Sequence, residues 1–105
     1  MWNTFHEPKH VRSACERTIK DLGLDYIDLY LIHWPVATEY VDPEVKYPSG
    51  FGSNEESVPI IDTWREMEAL VKSGEVRNIG VSNFNISLLR DLIYSSEIKP
   101  SVNQV

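Results

Sequence analysis

A histidine and a tryptophan follow an apolar run in this sequence and precede a proline. Residues 29–32 are all apolar, and His33 and Trp34 come directly after them. A histidine exchanges protons near neutral pH, so His33 could orient a substrate carbonyl or serve in proton transfer. Trp34 could form an apolar wall for a small substrate. Two structural alternatives stay open: a histidine satisfied by a buried backbone carbonyl, and a tryptophan that belongs to the core.

Short polar side chains accompany two later apolar segments. Ser82 and Asn83 follow Gly80 and Val81, and Gln104 lies near the end of the chain. Amide and hydroxyl groups at corresponding strand ends offer complementary donors and acceptors, so they could recognise a carboxamide. Ser82 and Asn83 could instead turn the chain and cap the next helix. Gln104 is harder to explain structurally, because an amide in a buried strand needs a partner, and a ligand is one candidate.

Several other chemistries find no support in the sequence. The three histidines and the single cysteine have no metal-ligand spacing, so we expect no metal site. A G-x-G-x-x-G motif, a Walker-type loop and a Gly-x-Ser-x-Gly elbow are all missing from the printed sequence. A Rossmann or P-loop nucleotide site and an α/β-hydrolase nucleophile are therefore not indicated.

Composition bounds the partners and the setting. The 105 residues, 42% of them apolar, suffice for one domain at most. A net charge of -6 argues against a nucleic-acid partner. No apolar stretch approaches the roughly 18 residues that cross a bilayer, so we expect no membrane association. A single cysteine cannot form an internal disulfide, which favours a reducing, cytoplasmic location.

The elements that must position these residues alternate between helix and strand. Helical periodicity covers Pro8–Leu22 and 59–73, and a third helix follows a capping Asn85. The predicted strands cover residues 26–33, Val76–Ser82 and 101–105. This order predicts an α/β fold whose parallel strands are joined by helical crossovers.

Some finer features of these elements can also be predicted. The apolar run 29–32 predicts a strand covered on both faces. Glu68 and Lys72 have the spacing of a surface ion pair beside the apolar stripe of the second helix. Residues 36–58 have no periodicity, and we expect this long segment to form a lid over His33.

The predicted size and topology fit part of a barrel. A closed (β/α)₈ barrel needs about 200 to 250 residues, so this chain could supply about three consecutive βα units. Both ends of the chain fall within predicted buried elements. We therefore expect residues 1–105 to be a fragment of a single barrel domain, truncated at both ends.

Four segments, in this order and spacing, together resemble the aldo-keto reductase family. They read WNTFH, DYIDLYLIHWP, GVSNF and PSVNQV, at residues 2–6, 25–35, 80–84 and 100–105. The segments 46–51 and 58–60 are most similar to the xylose reductase-like sugar reductases of that family. The resemblance covers essentially the whole chain.

The resemblance implies a TIM barrel that uses NADPH, with NADH possible, to reduce aldehydes and ketones, including aldoses such as xylose. By matching position, His33 resembles the family's carbonyl-orienting histidine. Trp34 and Phe51 resemble substrate-pocket residues. Three further residues resemble the groups that hold the nicotinamide carboxamide: Ser82, Asn83 and Gln104.

The resemblance also has gaps. The family's catalytic tyrosine, aspartate and lysine lie before the WNTFH segment and have no matching positions in this chain. We therefore expect the 105-residue chain to be inactive alone. The alternative is a non-catalytic barrel fragment that acts only by associating with other fragments.

Overall fold

The computed structural model describes residues 1, 6, 8–35 and 58–104. Three predicted features fall outside this described part: Phe51, residues 36–57 of the predicted lid 36–58, and residues 2–5 of the first motif. Its elements are α1 (Pro8–Leu22), β1 (Ile27–Ile32), α2 (Ile60–Ser73), β2 (Val76–Ser82), α3 (Ile86–Ser95) and β3 (Asn103–Gln104). The predicted order of helices and strands is confirmed, with boundaries shifted by at most two residues except at the short β3.

The strands form one parallel sheet in the order β1-β2-β3. Ile32 pairs with Val81 in the register of β1 and β2, and Ser82 pairs with Gln104 in that of β2 and β3. Met1 lies along the other edge of β1, where its amine donates to the Leu31 carbonyl at 2.6 Å. The prediction of parallel strands with helical crossovers is confirmed.

The core lies between one face of the sheet and the helices. Tyr30 and Ile32 point into it from β1, and Ile79 and Val81 from β2. The helices add buried apolar side chains: Val11 and Cys15 from α1, Trp64, Met67 and Leu70 from α2, and Leu92 from α3. This single cluster fixes the sheet relative to the helices, and therefore fixes the strand ends.

The opposite face of the sheet is largely uncovered. Leu29 is 44% exposed and Val102 is 39% exposed. The prediction that β1 is covered on both faces is therefore wrong for the described part of the chain. The physical reason is that the core cluster lies on the Tyr30 face, whereas Leu29 and Leu31 alternate to the other side.

Local signals set most helix ends. Gly23 and Gly74 adopt positive φ angles of 67° and 84° directly after α1 and α2, a conformation that glycine takes without a Cβ penalty. The Asn85 side chain accepts a hydrogen bond from the Leu88 amide at 2.8 Å, which confirms it as the cap of α3. The buried residues of α1 all lie in its first half, and Leu22 at its end is 63% exposed.

Candidate active site

The carboxyl ends of the strands enclose a cleft of about 260 Å³. Its lining consists of Met1, Leu31, His33, Ser82, Asn83 and Gln104. Each strand of a parallel sheet delivers its last residues to the same edge, which is why residues far apart in the sequence meet here. The structure thus brings together four of the predicted site residues.

Asn83 connects the ends of all three strands. Its backbone N–H donates to the Gln104 carbonyl at 2.8 Å, and its side-chain Nδ2 donates to the His33 carbonyl at 2.9 Å. Asn83 has a φ of 62°, in the left-handed region that asparagine tolerates better than most residues. This backbone turn lets the main chain bond to β3 while the side chain reaches β1.

Ser82 is nearly buried and is bonded on both sides. Its hydroxyl donates to the Gln104 carbonyl at 3.0 Å and accepts from Asn83 Nδ2 at 3.0 Å. The alternative that Ser82 and Asn83 cap the next helix is wrong, because the capping residue is Asn85. A hydroxyl oxygen has two lone pairs, so Ser82 can still accept one further hydrogen bond.

The Gln104 side chain is exposed at the cleft. The argument that this amide is buried and needs a partner is wrong for the described part of the chain, because nothing covers β3 on that side. Within this part, no hydrogen bond involves the Gln104 side chain or Asn83 Oδ1. Together they present donors and acceptors that match the NH₂ and C=O of a carboxamide. The donor set therefore fits the nicotinamide group.

His33 and Trp34 lie beside each other at the end of β1. Their rings are stacked, with centroids 6.0 Å apart and planes inclined by 25°. His33 is exposed and Trp34 is only partly buried. Trp34 does not belong to the core cluster of the described residues, so the alternative of a core tryptophan is not supported. The Asn83 side chain and the Met1 backbone hold the His33 main chain, because Asn83 Nδ2 donates to the His33 carbonyl at 2.9 Å and the His33 N–H donates to the Met1 carbonyl at 3.0 Å.

Comparison with protein-family models gives a match to the Aldo/keto reductase family over residues 1–105. The chain belongs to the aldo/keto reductase family. The NAD(P)H-dependent D-xylose reductase of Scheffersomyces stipitis is 51% identical over 111 residues, which cover 100% of the chain and 35% of that relative. The chain spans about a third of the length of the curated relatives it matches.

Solved structures of aldo/keto reductases have the same fold. Aldose reductase from Giardia lamblia has a TM-score of 0.88 and 46% identity, covering 98% of this chain and 34% of that protein. The aldo-keto reductase of Bombyx mori, solved in complex with NADP, has a TM-score of 0.84 and 38% identity, covering 98% and 30%. The predicted family, its xylose reductase-like branch and the partial-barrel fold class are thereby confirmed.

Within this aldo/keto reductase segment, sequence reasoning missed one buried acid. Glu68 is only 2% exposed, and its Oε2 accepts the backbone N–H groups of Glu97 and Ile98 at 2.7 and 2.6 Å. Lys72 bonds to the Glu97 carboxylate at 3.0 Å. The predicted surface pair of Glu68 and Lys72 is therefore wrong. The local partner of Glu68 is Arg65, whose Nη1 donates to Glu68 Oε1 at 3.3 Å, and the two backbone N–H groups bound by Oε2 lie 29 and 30 residues further along the chain.

His6 and Cys15 are buried titratable side chains that lie outside the cleft lining. Burial, with the nearby N-terminal amine, lowers the pKa of His6 from 6.5 to about 4. Neither ring nitrogen of His6 has a hydrogen-bond partner among the residues described. Burial also raises the pKa of the Cys15 thiol to about 11, which keeps it protonated and unreactive near neutral pH.

The described part of the segment offers neither a cluster of metal ligands nor a membrane-spanning helix. There, no three His, Cys, Asp or Glu side chains cluster as metal ligands. None of its helices is both long and apolar enough to cross a bilayer.

Proposed function

We propose that these residues form part of an NADPH-dependent aldo-keto reductase, with NADH as a possible substitute, that reduces aldehydes and ketones such as open-chain aldoses to alcohols. One observation carries the proposal most directly. The side chains of Ser82, Asn83 and Gln104 converge beside His33 at the carboxyl ends of parallel strands. The relatives' names support the substrate class, since Scheffersomyces stipitis has an NAD(P)H-dependent D-xylose reductase.

In this proposal, Gln104 and Asn83 hold the nicotinamide carboxamide. The Gln104 amide can both donate and accept, and Asn83 Oδ1 can accept from the carboxamide NH₂. Ser82 fixes the other two by its bonds to Asn83 Nδ2 and to the Gln104 carbonyl. The bound cofactor supplies the hydride, and these residues orient its ring by binding the carboxamide.

His33 orients the substrate carbonyl in this proposal. A neutral imidazole N–H can donate a hydrogen bond to a carbonyl oxygen and polarise it. The stacked Trp34 ring supplies an apolar wall beside it, and Phe51 contributes to the same pocket. The acid that protonates the oxygen has no matching position in this chain, so we expect no turnover by the 105-residue chain alone.

The wider setting belongs to the same proposal. Residues 1–105 act as a fragment of a single barrel domain, which needs its remaining βα units to complete the active site. The partner is a small carbonyl substrate, without nucleic acid or membrane. The acidic net charge of -6 supports this, and the single cysteine supports a cytoplasmic location.

A second candidate is a non-catalytic fragment that associates with other barrel units. The uncovered apolar face favours it, because Leu29 and Val102 remain 44% and 39% exposed in this chain. The two candidates differ in one respect: only the first requires the cleft residues to work in reduction.

A hybrid enzyme tests the proposed function. Residues 1–105 replace the equivalent segment of the Scheffersomyces stipitis D-xylose reductase, which supplies the remaining length. We expect the hybrid to oxidise NADPH in the presence of xylose, within about tenfold of the parent kcat/KM, because the substituted residues carry the same roles. The isolated 105-residue chain, measured in parallel, should show no turnover. A folded hybrid that binds NADPH but does not reduce xylose would contradict the proposal.

A further inference from the structure

Residues 96–102, the α3–β3 connection, are held by side chains of α2. Glu68 Oε2 accepts two successive backbone N–H groups of this connection, those of Glu97 and Ile98, at 2.7 and 2.6 Å. Trp64 Nε1 donates to the Ile98 carbonyl at 2.9 Å. Two successive N–H groups around one oxygen form a compact anion-binding turn, so the carboxylate fixes the backbone on both sides of that peptide.

Glu68 is far more buried than the ion pair of Lys72 and Glu97 beside it. Glu68 is 2% exposed, whereas the Lys72 and Glu97 side chains of the adjacent ion pair are 58% and 65% exposed. Exposed pairs contribute little, because water competes for both charges. Removing the buried acceptor instead leaves two backbone N–H groups without the oxygen that accepts from them. Glu68, together with the fully buried Trp64, is therefore the contact on which the shape of the connection depends.

The connection leads directly into the strand that carries Gln104. β3 is only two residues long and pairs with β2. Three backbone bonds flank the β2–β3 ladder: the Ser101 N–H to the Ile79 carbonyl at 2.8 Å, the Val81 N–H to the Val102 carbonyl at 2.9 Å, and the Asn83 N–H to the Gln104 carbonyl at 2.8 Å. Within β3, the Asn103 side chain exchanges two hydrogen bonds with the Phe84 backbone, at 2.9 and 3.2 Å. So short a strand depends on such contacts along its whole length, and at its start they come from the connection.

We propose that Glu68 is a positioning residue that fixes β3 against β2 and thereby places Gln104 beside Asn83. It acts through the backbone of Glu97 and Ile98 and does not line the cleft. Its consequence for the nicotinamide carboxamide rests on the proposed function, whereas its effect on β3 does not.

Hydrogen exchange on the full 105-residue chain tests the positioning role without any cofactor. The reporters are the amides of Val81 and Asn83, whose acceptors lie at β3. The reference is the Ile27 amide, which donates to the Glu75 carbonyl at 2.9 Å, at the far end of the sheet. We expect Glu68→Leu to accelerate exchange of both reporters at least about tenfold while Ile27 changes by less than about twofold.

Three further variants distinguish loss of the Glu68 hydrogen-bond acceptor from a general loss of stability. Glu68→Gln keeps an oxygen that can accept both N–H groups, so its reporter amides should exchange nearly as in the wild type. Glu97→Gln alters an exposed carboxylate of the same connection and should also have little effect. Trp64→Phe removes the indole N–H together with part of a fully buried ring, and it should accelerate the reporters a few-fold more than it accelerates Ile27.

Several results would overturn the positioning role. They are an unchanged reporter rate in Glu68→Leu and Trp64→Phe, equal acceleration at Ile27 in Trp64→Phe, and Glu68→Gln exchanging as fast as Glu68→Leu. If the reporter amides of the wild type exchange as fast as those of an unfolded chain, the positioning role is also overturned, because the connection then holds β3 in no fixed place.

Kinetics of the hybrid enzyme distinguish this inference from the proposed function. We expect Gln104→Ala and Glu68→Leu each to raise KM for NADPH several-fold more than they lower kcat, with Glu68→Gln near the unmodified hybrid. If Gln104→Ala leaves KM unchanged while the exchange result holds, the cofactor role fails and the positioning role stands. If Gln104→Ala raises KM but the reporters are unaffected in Glu68→Leu, the positioning role fails alone.

Discussion

Asn83 shows how one side chain can organise a site without being its reactive group. Its backbone N–H donates to the Gln104 carbonyl in β3, and its Nδ2 donates to the His33 carbonyl and to the Ser82 hydroxyl. Its Oδ1 has no hydrogen-bond partner among the described residues and can accept from a ligand. The residue's positive φ, 62°, is unfavourable for most side chains, and its persistence here is explained by these bonds. A turn signal in the sequence therefore coincides with a binding group.

His6 makes the stability of the fold depend on pH. Its pKa is about 4 in the folded chain and 6.5 when unperturbed, so the unfolded chain takes up the proton first as the pH falls. The free energy of unfolding should be unaffected by His6 above about pH 6.5 and should decrease between about 6.5 and 4. The loss is on the order of 3 kcal/mol at most.

Urea denaturation at a series of pH values measures this effect. The control is His6→Phe, which fills a similar volume with a ring that does not titrate. The wild type should lose stability relative to His6→Phe as the pH falls from about 6.5 to 4. Parallel curves for the two proteins across that range would contradict the role of His6.

At the scale of elements, Gly80 shows why β2 needs a residue without a side chain. An added Cβ would lie 2.8 Å from Leu31 Cδ2 and 2.9 Å from both Val102 Cγ1 and the Val102 carbonyl oxygen. The Leu31 side chain can rotate away, but the backbone oxygen cannot move without disturbing the ladder to β3. We expect Gly80→Ala to lower the free energy of unfolding by about 1 to 3 kcal/mol.

A companion variant locates the cause of that loss. Adding Leu31→Ala to Gly80→Ala removes the clash with Leu31 and leaves both clashes with Val102, at its Cγ1 and at its carbonyl oxygen. The double variant should therefore not recover stability in chemical denaturation. Full recovery would show that the clash is with Leu31 alone and that β3 tolerates a shift.

The types and order of the elements could be predicted because their signals are local. Periodic apolar residues mark α1 and α2, and the left-handed turns at Gly23 and Gly74 end them. The cleft could be predicted because parallel strands deliver His33, Ser82 and Gln104 to one edge. The burial of Glu68 could not be found this way, because the spacing to Lys72 suggested a surface pair, whereas Glu68 pairs with Arg65 and accepts two backbone N–H groups that lie 29 and 30 residues away.

Burial was predicted less well than secondary structure. The run at residues 29–32 has the composition of a strand covered on both faces, yet Leu29 is 44% exposed. Composition reflects the environment of a complete barrel, in which the inner face of each strand meets side chains from other strands. The described residues supply only the helical side of that environment, so the inner face stays open.

At the scale of the whole molecule, the proposed function makes this segment part of a reductase site. In that proposal, the cleft of the segment combines a carboxamide-binding set with a histidine and a tryptophan suited to a carbonyl substrate. Its helices hold these groups from the far side of the sheet, through the core and through Glu68. We therefore expect substitutions in the cleft to change the kinetic constants of the hybrid enzyme, and substitutions of core residues such as Ile79 to change the stability of the fold.

The most direct test is the effect of His33→Ala on the hybrid enzyme. If His33 orients the substrate carbonyl, kcat for xylose reduction should fall by about 10²-fold or more, while the Kd for NADPH stays within about twofold. Trp34→Phe is the matched control, because it keeps an apolar ring beside His33 and should change kcat far less. An equal loss of NADPH binding and of turnover in His33→Ala would contradict the account.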